Sequence, residues 1–549
     1  MPYFDQTRKT RLFISLISGV ILWLAWPPMK FTPLLFIAFL PLLYLEQNIA
    51  ETGGKKLTFT KCLGVAFFVW NLLSTYWIWN ASAFGMITAV LLNTMMMVLP
   101  FWLYTYIRQA SGKTMGYIGL VSCWVAMEYF DLHWDLSWPW LILGNGFAAL
   151  PKWVQWYEYT GVFGGTIWIL VGNILIFEVY KIGLKLQMFE KGERLNYFKS
   201  SMFGLVLITL VWLLLPITES LRLEMINDRF ESPVDVVVIQ PNIDPYNDKF
   251  SGPMAEQVNR FIELSESKMD ANTEYVIWPE TALSSSLEES SLRNHGVVDT
   301  IQRMLQKYPN ATLITGATTF RRYENEDNIS SSARKYSDGS CCYDLYNTAV
   351  QIESSANLQF YHKSKLVPGV EKMPFPSVLG FLEPLAINLG GPTGSMGEQD
   401  HRTVFYSRSG LGVAPVICYE SVYGEFVAEY VKNGAQLIAI ITNDGWWGDT
   451  PGYKQHAFYA SLRAIETRRS IARSANTGVS GFYTPTGELL QATDYWTEAV
   501  IKASIPLNSK ITFYVEHGDY LARFLSILAV ILVLVSFVRN KIDKGFIKK

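Results

Sequence analysis

Three residues of different chemistry stand at the ends of short apolar segments in the middle of this 549-residue chain. Glu280 follows YVIWP, Lys363 follows FYH, and Cys418 follows VAPVI. If they fold together, the carboxylate can take the thiol proton, while the ammonium favours the thiolate and later stabilises a tetrahedral oxyanion. Taken singly, each has a plainer explanation, because such cysteines often pack in a core and such charged residues are often solvated. The three types together indicate covalent thiol catalysis, provided that the fold brings them together.

The segments that must position these residues alternate between strand and helix patterns. Short β-branched segments that end in polar or turn residues predict strands at 234–243, 275–283, 311–320, 346–354, 411–420 and 435–446. Helical periodicity follows at 256–269, 297–307 and 456–472, and the polar stretch 322–340 predicts a surface loop. Apolar strands of this kind are covered on both faces in layered α/β domains, where chemistry gathers at strand ends.

The average composition conceals two unlike parts. Half of the residues are hydrophobic, 17% are charged, and the net charge is −2. Residues 217–520 carry 25 basic and 37 acidic side chains, whereas 1–216 and 521–549 together carry 21 basic and 11 acidic ones. The positive charge sits in short clusters rather than in a basic stripe, so no nucleic-acid partner is expected. The many large apolar residues exclude a disordered chain.

Long uncharged runs predict about eight membrane helices, seven before the acidic middle and one after it. The runs are 12–29, 31–45, 62–107, 114–127, 159–177, 200–218 and 524–538, and the third is long enough for two helices. Buried core helices are the alternative for each run. The first run also resembles a signal peptide, but it lacks a small-residue cleavage site and is interpreted as a retained anchor.

Basic clusters predict the orientation of these helices. Five clusters fall on one side of an eight-helix path, against only Lys30 and Lys152 in the short opposite loops. The positive-inside rule makes the clustered side cytoplasmic and places the acidic middle outside the cytoplasm. The expected division is a membrane domain of seven helices at 1–218, a catalytic domain at 219–519, and a C-terminal membrane helix with a basic tail at 520–549.

The cysteines and histidines give few further constraints. Cys341 and Cys342 are adjacent and can pair only with each other in a strained link or with another chain, and Cys418 has no obvious partner. Cys62 and Cys123 fall inside predicted helices. No Cys/His spacing suggests a metal site, and none of the six histidines is assigned to catalysis.

Four blocks carry a resemblance to known proteins: VIWPET, FYHKSKLVPGVEKMPF, VICYES and ITNDGWWGD. In order and spacing they resemble the nitrilase (carbon–nitrogen hydrolase) superfamily with its Glu-Lys-Cys triad. The C-Y-E, L-V-P and N-D-x-W-x-G features, together with flanking membrane helices, look like the apolipoprotein N-acyltransferase family. The resemblance implies a nitrilase-like α-β-β-α sandwich with Glu280 as general base, Lys363 as oxyanion-stabilising residue and Cys418 as nucleophile.

The same resemblance implies supporting residues and marks two departures. Glu371, Tyr419 and Glu420 match supporting positions of the family. Lys365 is a rival for the lysine role, but Lys363 keeps the family's Y-x-K pattern. The departures are PGVEKMPF, where the family usually has an aromatic-Gly pair before the Glu, and Phe250, where a Trp is common.

Apolar segments near these blocks are candidates for substrate access. Trp446, Trp447 and the loop at 373–392 are expected to meet the outer leaflet, with ordinary loop packing as the alternative, and Phe250 is a further access candidate. The uncharged, Trp-rich segment 136–151 is a similar candidate for a re-entrant or interfacial element.

The resemblance implies a two-step acyl transfer. A fatty acyl chain passes from a membrane phospholipid to Cys418 as a thioester, then to the α-amine of an apolipoprotein's N-terminal diacylglyceryl-cysteine. No cofactor is implied, and the expected location is a bacterial inner membrane, with the catalytic domain on the periplasmic side. One alternative is a membrane-tethered nitrilase-type amidase that passes the acyl group to water. A transporter is disfavoured, because the first four helices carry no charge in their cores and Glu128 lies near the end of its run.

Overall fold

The computed structural model describes residues 7–186, 202–226, 233–247, 253–324, 329–336, 341–355, 358–375 and 395–547. The chain divides into two compact units. The first, here called the helical unit, comprises Met1–Tyr76, Met86–Leu223 and Asp519–Lys549. The second, here called the sheet unit, comprises Trp77–Gly85 and Glu224–Gly518.

Each apolar run predicted to be a membrane helix contains a helix in the part that the structure describes. The helices are α1 (Arg8–Ala25), α2 (Leu40–Glu51), α3 (Lys56–Thr75), α4 (Ala83–Ser111), α5 (Lys113–Asp131), α6 (Tyr157–Leu186), α7 (Phe203–Ile226) and a C-terminal helix (Tyr520–Ile547). Among the described residues, six stretches are long and apolar enough to cross a membrane: Thr32–Glu51, Lys56–Asn80, Ala83–Ser111, Tyr157–Leu186, Phe203–Ile226 and Tyr520–Ile542. The predicted bundle of about eight helices is thus confirmed, although α1 and α5 are not among the six stretches.

The Trp-rich segment 136–151 folds as short 3₁₀ turns tied to a buried carboxylate of α5. The turns are Pro139–Leu141, Leu143–Ala149 and Pro151–Trp153, and the first two are buried. Glu128 accepts hydrogen bonds from the Trp124 indole, the Leu143 main-chain N–H and the Thr166 hydroxyl, each at 2.8 Å. Three internal donors bind the oxygens of Glu128. Its burial is therefore explained by structure, without a role in transport.

Two β-sheets pack face to face in the sheet unit. The first has the order β14-β1-β2-β4-β6-β5, with β3 also beside β4 and β7 beside β6. Its strands are β1 (Pro233–Gln240), β2 (Thr273–Ile277), β3 (Leu283–Glu288), β4 (Thr312–Arg322), β5 (Arg334–Lys335), β6 (Cys342–Ile352), β7 (Gln359–His362) and β14 (Ala499–Pro506). The short strand β5 lies within the predicted polar loop 322–340, where it pairs with β6.

The second sheet has the order β13-β12-β11-β10-β9-β8. Its strands are β8 (Phe405–Tyr406), β9 (Gly412–Ile417), β10 (Leu437–Thr442), β11 (Ser470–Ala475), β12 (Gly481–Tyr483) and β13 (Leu489–Leu490). The central strands β9, β10 and β11 are parallel and buried along their whole length. This explains why they appear in the sequence as continuous rather than alternating apolar runs.

Helices cover the outer face of each sheet. The helices are α8 (Met254–Glu266), α9 (Gly296–Gln306), α10 (Gly424–Lys432), α11 (Pro451–Thr467) and the short α12 (Phe513–His517). Alternate residues of β1, Val237 and Ile239, pack into the core beneath α8 and α9. On the inner face, the Ser474 hydroxyl of one sheet donates to the Ile239 carbonyl of the other at 2.8 Å. The predicted α-β-β-α sandwich is confirmed.

We expect removal of the Glu128 carboxylate to destabilise the helical unit. Glu128→Ala leaves three buried donors without this acceptor, at a cost on the order of 3 kcal/mol in unfolding free energy. Glu128→Gln, which keeps one oxygen acceptor and the side-chain shape, should lose less. Thermal unfolding of the purified variants in detergent measures the difference, and equal midpoints for wild type and Glu128→Ala would contradict this role.

Candidate active site

The three predicted catalytic residues follow three strands that meet where the two sheets face each other. Glu280 lies just beyond β2, Lys363 follows β7 in the same sheet, and Cys418 follows β9 in the second sheet. The exposed fractions of these residues are 7%, 1% and 8%. The predicted residues are therefore brought together in a site that is largely shielded from water.

Lys363 lies between two carboxylates. Its Nζ is 3.2 Å from Glu280 Oε1 and 2.9 Å from Glu371 Oε1. Burial alone would lower the pKa of Lys363, but the carboxylates and the nearby Cys418 side chain together hold it well above its usual value. The ammonium therefore stays charged. Lys365, the rival candidate, instead places its ammonium 5.1 Å from the centre of the Tyr423 ring.

Asn347 of β6 joins the two carboxylates from the other side. Its side-chain amide donates to Glu280 Oε1 at 2.8 Å and to Glu371 Oε1 at 3.0 Å. Its main-chain carbonyl also accepts the Lys363 N–H at 2.8 Å. The second oxygen of Glu371 accepts the Val367 main-chain N–H at 2.9 Å, which closes the loop that carries both residues. Asn347 was not predicted, because an asparagine within a β-strand pattern carries no distinctive signal.

The turn after β2 aims Glu280 into the site and depends on a glycine opposite. Thr281 has a left-handed conformation, with φ 49°. Gly316 on β4 donates its N–H to the Pro279 carbonyl at 3.1 Å. A Cβ at Gly316 would lie 2.6 Å from the Cα of Glu280, so no larger residue fits without moving the turn.

Cys418 occupies a left-handed turn held by Glu420. The Cys418 φ is 48°, an uncommon value for a non-glycine residue that the surrounding structure must enforce. Glu420 Oε2 accepts the Ile417 N–H at 2.9 Å, and its Oε1 accepts the Ser364 N–H at 2.7 Å and the Tyr361 hydroxyl at 2.6 Å. One buried carboxylate thus connects the Cys418 turn to the strand end that carries Lys363.

The surroundings of Cys418 favour the protonated thiol over the thiolate. Burial raises the pKa of Cys418, the negative charge of Glu280 raises it further, and the opposing effect of Lys363 does not compensate. A resting thiolate is therefore disfavoured, and an attack by Cys418 would need a base. Glu280 remains the candidate for that base.

A second buried network, formed by His456, Asp444 and Arg473, supports the Cys418 turn. His456 of α11 places Nε2 3.2 Å from the Cys418 carbonyl oxygen and 2.9 Å from Ser421 Oγ, while its Nδ1 lies 3.0 Å from Asp444 Oδ1. Arg473 of β11 donates to Asp444 Oδ2 at 2.7 Å. Burial alone would raise the pKa of Asp444, but Arg473 and His456 lower it to about 2.

Sequence reasoning missed His456 and Arg473 as parts of this site. Asp444 stands in the N-D-x-W-x-G block, but His456 and Arg473 lie outside the blocks that carried the resemblance. Their role follows from the packing of α11 and β11 around the end of β10, which single-sequence spacing does not encode.

The other predicted residues have varied settings. Tyr419 is buried, with its ring 5.3 Å from that of Tyr423. Trp446 packs edge-on against Tyr246, and Trp447 packs against Trp77 and His456. Phe250 and most of the loop at 373–392 lie outside the described residues. Among the residues that the structure describes, no cluster of three or more His, Cys, Asp or Glu side chains has a metal-binding arrangement, and all five cysteines are free thiols.

Comparison with known proteins matches both parts of the chain. Residues 18–175 match the apolipoprotein N-acyltransferase N-terminal domain, and residues 236–512 match the carbon-nitrogen hydrolase family. An apolipoprotein N-acyltransferase of Chlorobaculum tepidum is 30% identical, covering 96% of this chain and 97% of that protein. One of Geobacter metallireducens is 25% identical, covering 99% and 98%.

Among solved structures, a variant of an amidase of the nitrilase superfamily from Nesterenkonia AN1 matches with a TM-score of 0.35 and 13% identity, covering 54% of this chain and 98% of that one. The full-length relatives and the two family matches agree with the helices, the sandwich and the grouped strand ends. The chain therefore belongs to the apolipoprotein N-acyltransferase family and is a multi-pass membrane enzyme with a nitrilase-like catalytic fold.

Proposed function

We propose that this protein transfers a fatty acyl chain from a membrane phospholipid, through a thioester on Cys418, to the α-amine of an apolipoprotein's N-terminal diacylglyceryl-cysteine. The observation that carries the mechanism is the buried Lys363 ammonium shared by two carboxylates beside a protonated thiol. The choice of substrates follows from the names of the relatives, which are matched over nearly the whole chain.

In the first half-reaction Cys418 attacks the ester carbonyl of the phospholipid. Glu280 takes the thiol proton as the sulfur–carbon bond forms, and the tetrahedral oxyanion is stabilised by the Lys363 ammonium. Collapse of the intermediate breaks the ester C–O bond, and the proton held by Glu280 passes to the departing lysophospholipid oxygen. The result is an acyl-Cys418 thioester with the carboxylate of Glu280 restored.

In the second half-reaction the free amine of the apolipoprotein attacks the thioester. Glu280 accepts a proton from the attacking nitrogen, Lys363 again faces the oxyanion, and the C–S bond breaks. The thiolate recovers its proton from Glu280, leaving an amide on the acceptor. Since a thioester also reacts with water, the low exposure of the site favours transfer to the amine over hydrolysis.

We also propose where the enzyme works. The basic clusters between the apolar runs favour a bacterial inner membrane with the acidic catalytic part on the periplasmic side. The bilayer then supplies the phospholipid donor and holds the acceptor. We propose 219–519 as the catalytic domain between a seven-helix membrane domain, 1–218, and the C-terminal helix and tail, 520–549.

The acyl-enzyme is the direct test of this function. Purified protein in vesicles of a phospholipid with one defined acyl chain should gain one acyl mass on the Cys418 peptide, measured by mass spectrometry. A diacylglyceryl-cysteine peptide should then discharge it and become N-acylated, while the same peptide with a blocked amine should not. Cys418→Ser should form no thioester, and the Cys341→Ser, Cys342→Ser double variant should behave as wild type. Rapid loss of the acyl group to water without peptide would indicate the amidase instead.

Glu280→Gln should change the rates of two reactions of Cys418 in opposite directions: acyl-enzyme formation should become slower and alkylation faster. Acyl-enzyme formation should fall by roughly 10²–10⁴-fold, because the general base is lost. Alkylation by iodoacetamide at mildly alkaline pH should become faster, because removing the Glu280 charge lowers the raised thiol pKa and increases the thiolate fraction. In wild type the alkylation rate should keep rising with pH beyond the ordinary thiol range.

Glu371→Gln is the matched control for this experiment. It also removes a carboxylate from Lys363, but it leaves the charge of Glu280 in place. Its alkylation rate should stay closer to that of wild type. A Glu280→Gln enzyme that is slower in both reactions would contradict the assignment of Glu280 as the base that also raises the thiol pKa.

The orientation has its own test. In a Cys341→Ser, Cys342→Ser background, Lys185→Cys at the exposed end of α6 should resist a membrane-impermeant maleimide in whole cells and react after lysis. Ser290→Cys, exposed in the sheet unit, should react in whole cells. The reverse pattern would place the catalytic part in the cytoplasm.

A further inference from the structure

The connector between α3 and α4 is part of the sheet unit, although the helices that flank it in the sequence lie mostly in the helical unit. This connector, Trp77–Gly85, groups with Glu224–Gly518. We propose that Trp77, with Asn80, positions the loop after β10 and through it the Cys418 nucleophile. The inference rests on the proposed function and adds a segment of the apolar half of the chain to the active site.

Trp77 is anchored to the sheet unit by its polar and apolar edges. It is 2% exposed, its indole N–H donates to Gln455 Oε1 at 3.2 Å, and its ring centre lies 4.8 Å from that of Trp447. Three residues further on, the Asn80 amide donates to the Trp447 carbonyl oxygen at 2.7 Å. The connector therefore holds Trp447 by both its ring and its main chain.

Trp447 passes this constraint to the nucleophile through His456. The two rings meet edge to face, with centres 5.5 Å apart and planes at 73°. His456 in turn places Nε2 3.2 Å from the Cys418 carbonyl oxygen. Gln455, the partner of Trp77, is the residue before His456 on α11. The connector thus braces the helix and the ring that support the left-handed Cys418 turn.

The start of α11 is shaped to admit the Trp77 indole. Gly452 lies in the first turn of α11, and a Cβ there would be 2.5 Å from Cδ2 of Trp77. Such a contact is too short for the indole to keep its place. Gly452 therefore offers a way to displace Trp77 without changing the tryptophan itself.

Trp77 contacts Gln455 and Trp447, neither of which reacts with substrate in the proposed mechanism, so the role inferred for Trp77 is positioning. A small displacement of a nucleophile from its attack geometry lowers the rate of the chemical step by up to about 100-fold. The expected signature is a lower limiting rate of acyl-enzyme formation at saturating phospholipid, with a smaller effect on the concentration that gives half the limiting rate.

The test compares Trp77→Ala with Trp79→Ala in the full-length enzyme in phospholipid vesicles. Trp79 has the same side chain in the same short 3₁₀ turn, but it is 55% exposed. Trp77→Ala should lower the limiting rate of acylation at least tenfold, whereas Trp79→Ala should remain within about twofold of wild type. Trp77→Phe, which keeps a ring against Trp447, should recover most of the loss.

Two further variants keep the inference testable if Trp77→Ala does not fold. Asn80→Ala removes the bond to Trp447 without opening a cavity in the core, and Gly452→Ala displaces the indole from the opposite side. Each should lower the limiting rate. Asn80→Ala should leave thermal unfolding close to that of wild type, whereas Gly452→Ala should remain folded with a lower midpoint, because it overpacks a buried indole. Folded Asn80→Ala and Gly452→Ala enzymes with the wild-type limiting rate would overturn the inference. If wild type itself forms no acyl-enzyme, the proposed function fails instead, so the two failures are distinguishable.

Discussion

The buried ammonium of Lys363 is the constraint on which the catalytic site depends. A charge that is 1% exposed is tolerated only when it is paired and hydrogen-bonded, and here Glu280 and Glu371 both approach within 3.2 Å. Each carboxylate comes from a different segment, and Asn347 bonds to both. The strand ends must therefore meet in one arrangement, because moving any one of them leaves a buried charge unpaired.

The same grouping bears on the proposed nucleophile, whose thiol is protonated. Burial and the negative charge of Glu280 raise the thiol pKa of Cys418 more than Lys363 lowers it. In the proposed mechanism Glu280 takes the thiol proton, so charge moves from oxygen to sulfur and the net charge of the site does not change. The proton transfer avoids the cost of adding a buried charge, and the resulting thiolate lies near Lys363. This favours a mechanism in which Glu280 removes the thiol proton when the acyl donor binds. It disfavours a mechanism in which a reactive thiolate is present before the donor binds.

The two sheets contribute differently to this chemistry. The first carries Glu280 and Lys363, and the second carries Cys418, the proposed nucleophile, and the residues that support its turn. Glu420 connects them, because its two oxygens bind the main chain before Cys418 and the main chain after Lys363. The buried Arg473–Asp444 pair and His456 hold the turn from the other side. An uncommon backbone conformation at Cys418 persists because it is restrained from several directions.

Individual residues show how much of the fold and of the candidate site the sequence alone predicts. The strands around Glu280 and Cys418 were predictable because continuous apolar runs that end in a polar residue mark buried strands of a layered fold. The family resemblance then gave Glu371 and Glu420, whose contacts are now visible. Asn347, His456 and Arg473 were not predictable, because their roles arise from strand register and helix packing between segments far apart in the chain. Trp447 was expected either to meet lipid or to pack over the sheet; its ring contacts Trp77 and His456, and its part in substrate access stays a prediction.

Trp77 bears on why the membrane helices and the hydrolase-like sandwich belong to one polypeptide. An anchor alone requires only a peptide link to the catalytic part, and any apolar helix would serve. Here the short segment Trp77–Gly85, between two apolar helices, belongs to the sheet unit. The indole of Trp77 is as buried there as core residues of the sandwich. A contiguous 219–519 domain lacks that segment, so the support beneath Trp447 would be missing from it. Both substrates of the proposed acyl transfer are confined to the bilayer. The residues proposed to support the active site thus include part of the apolar half of the chain.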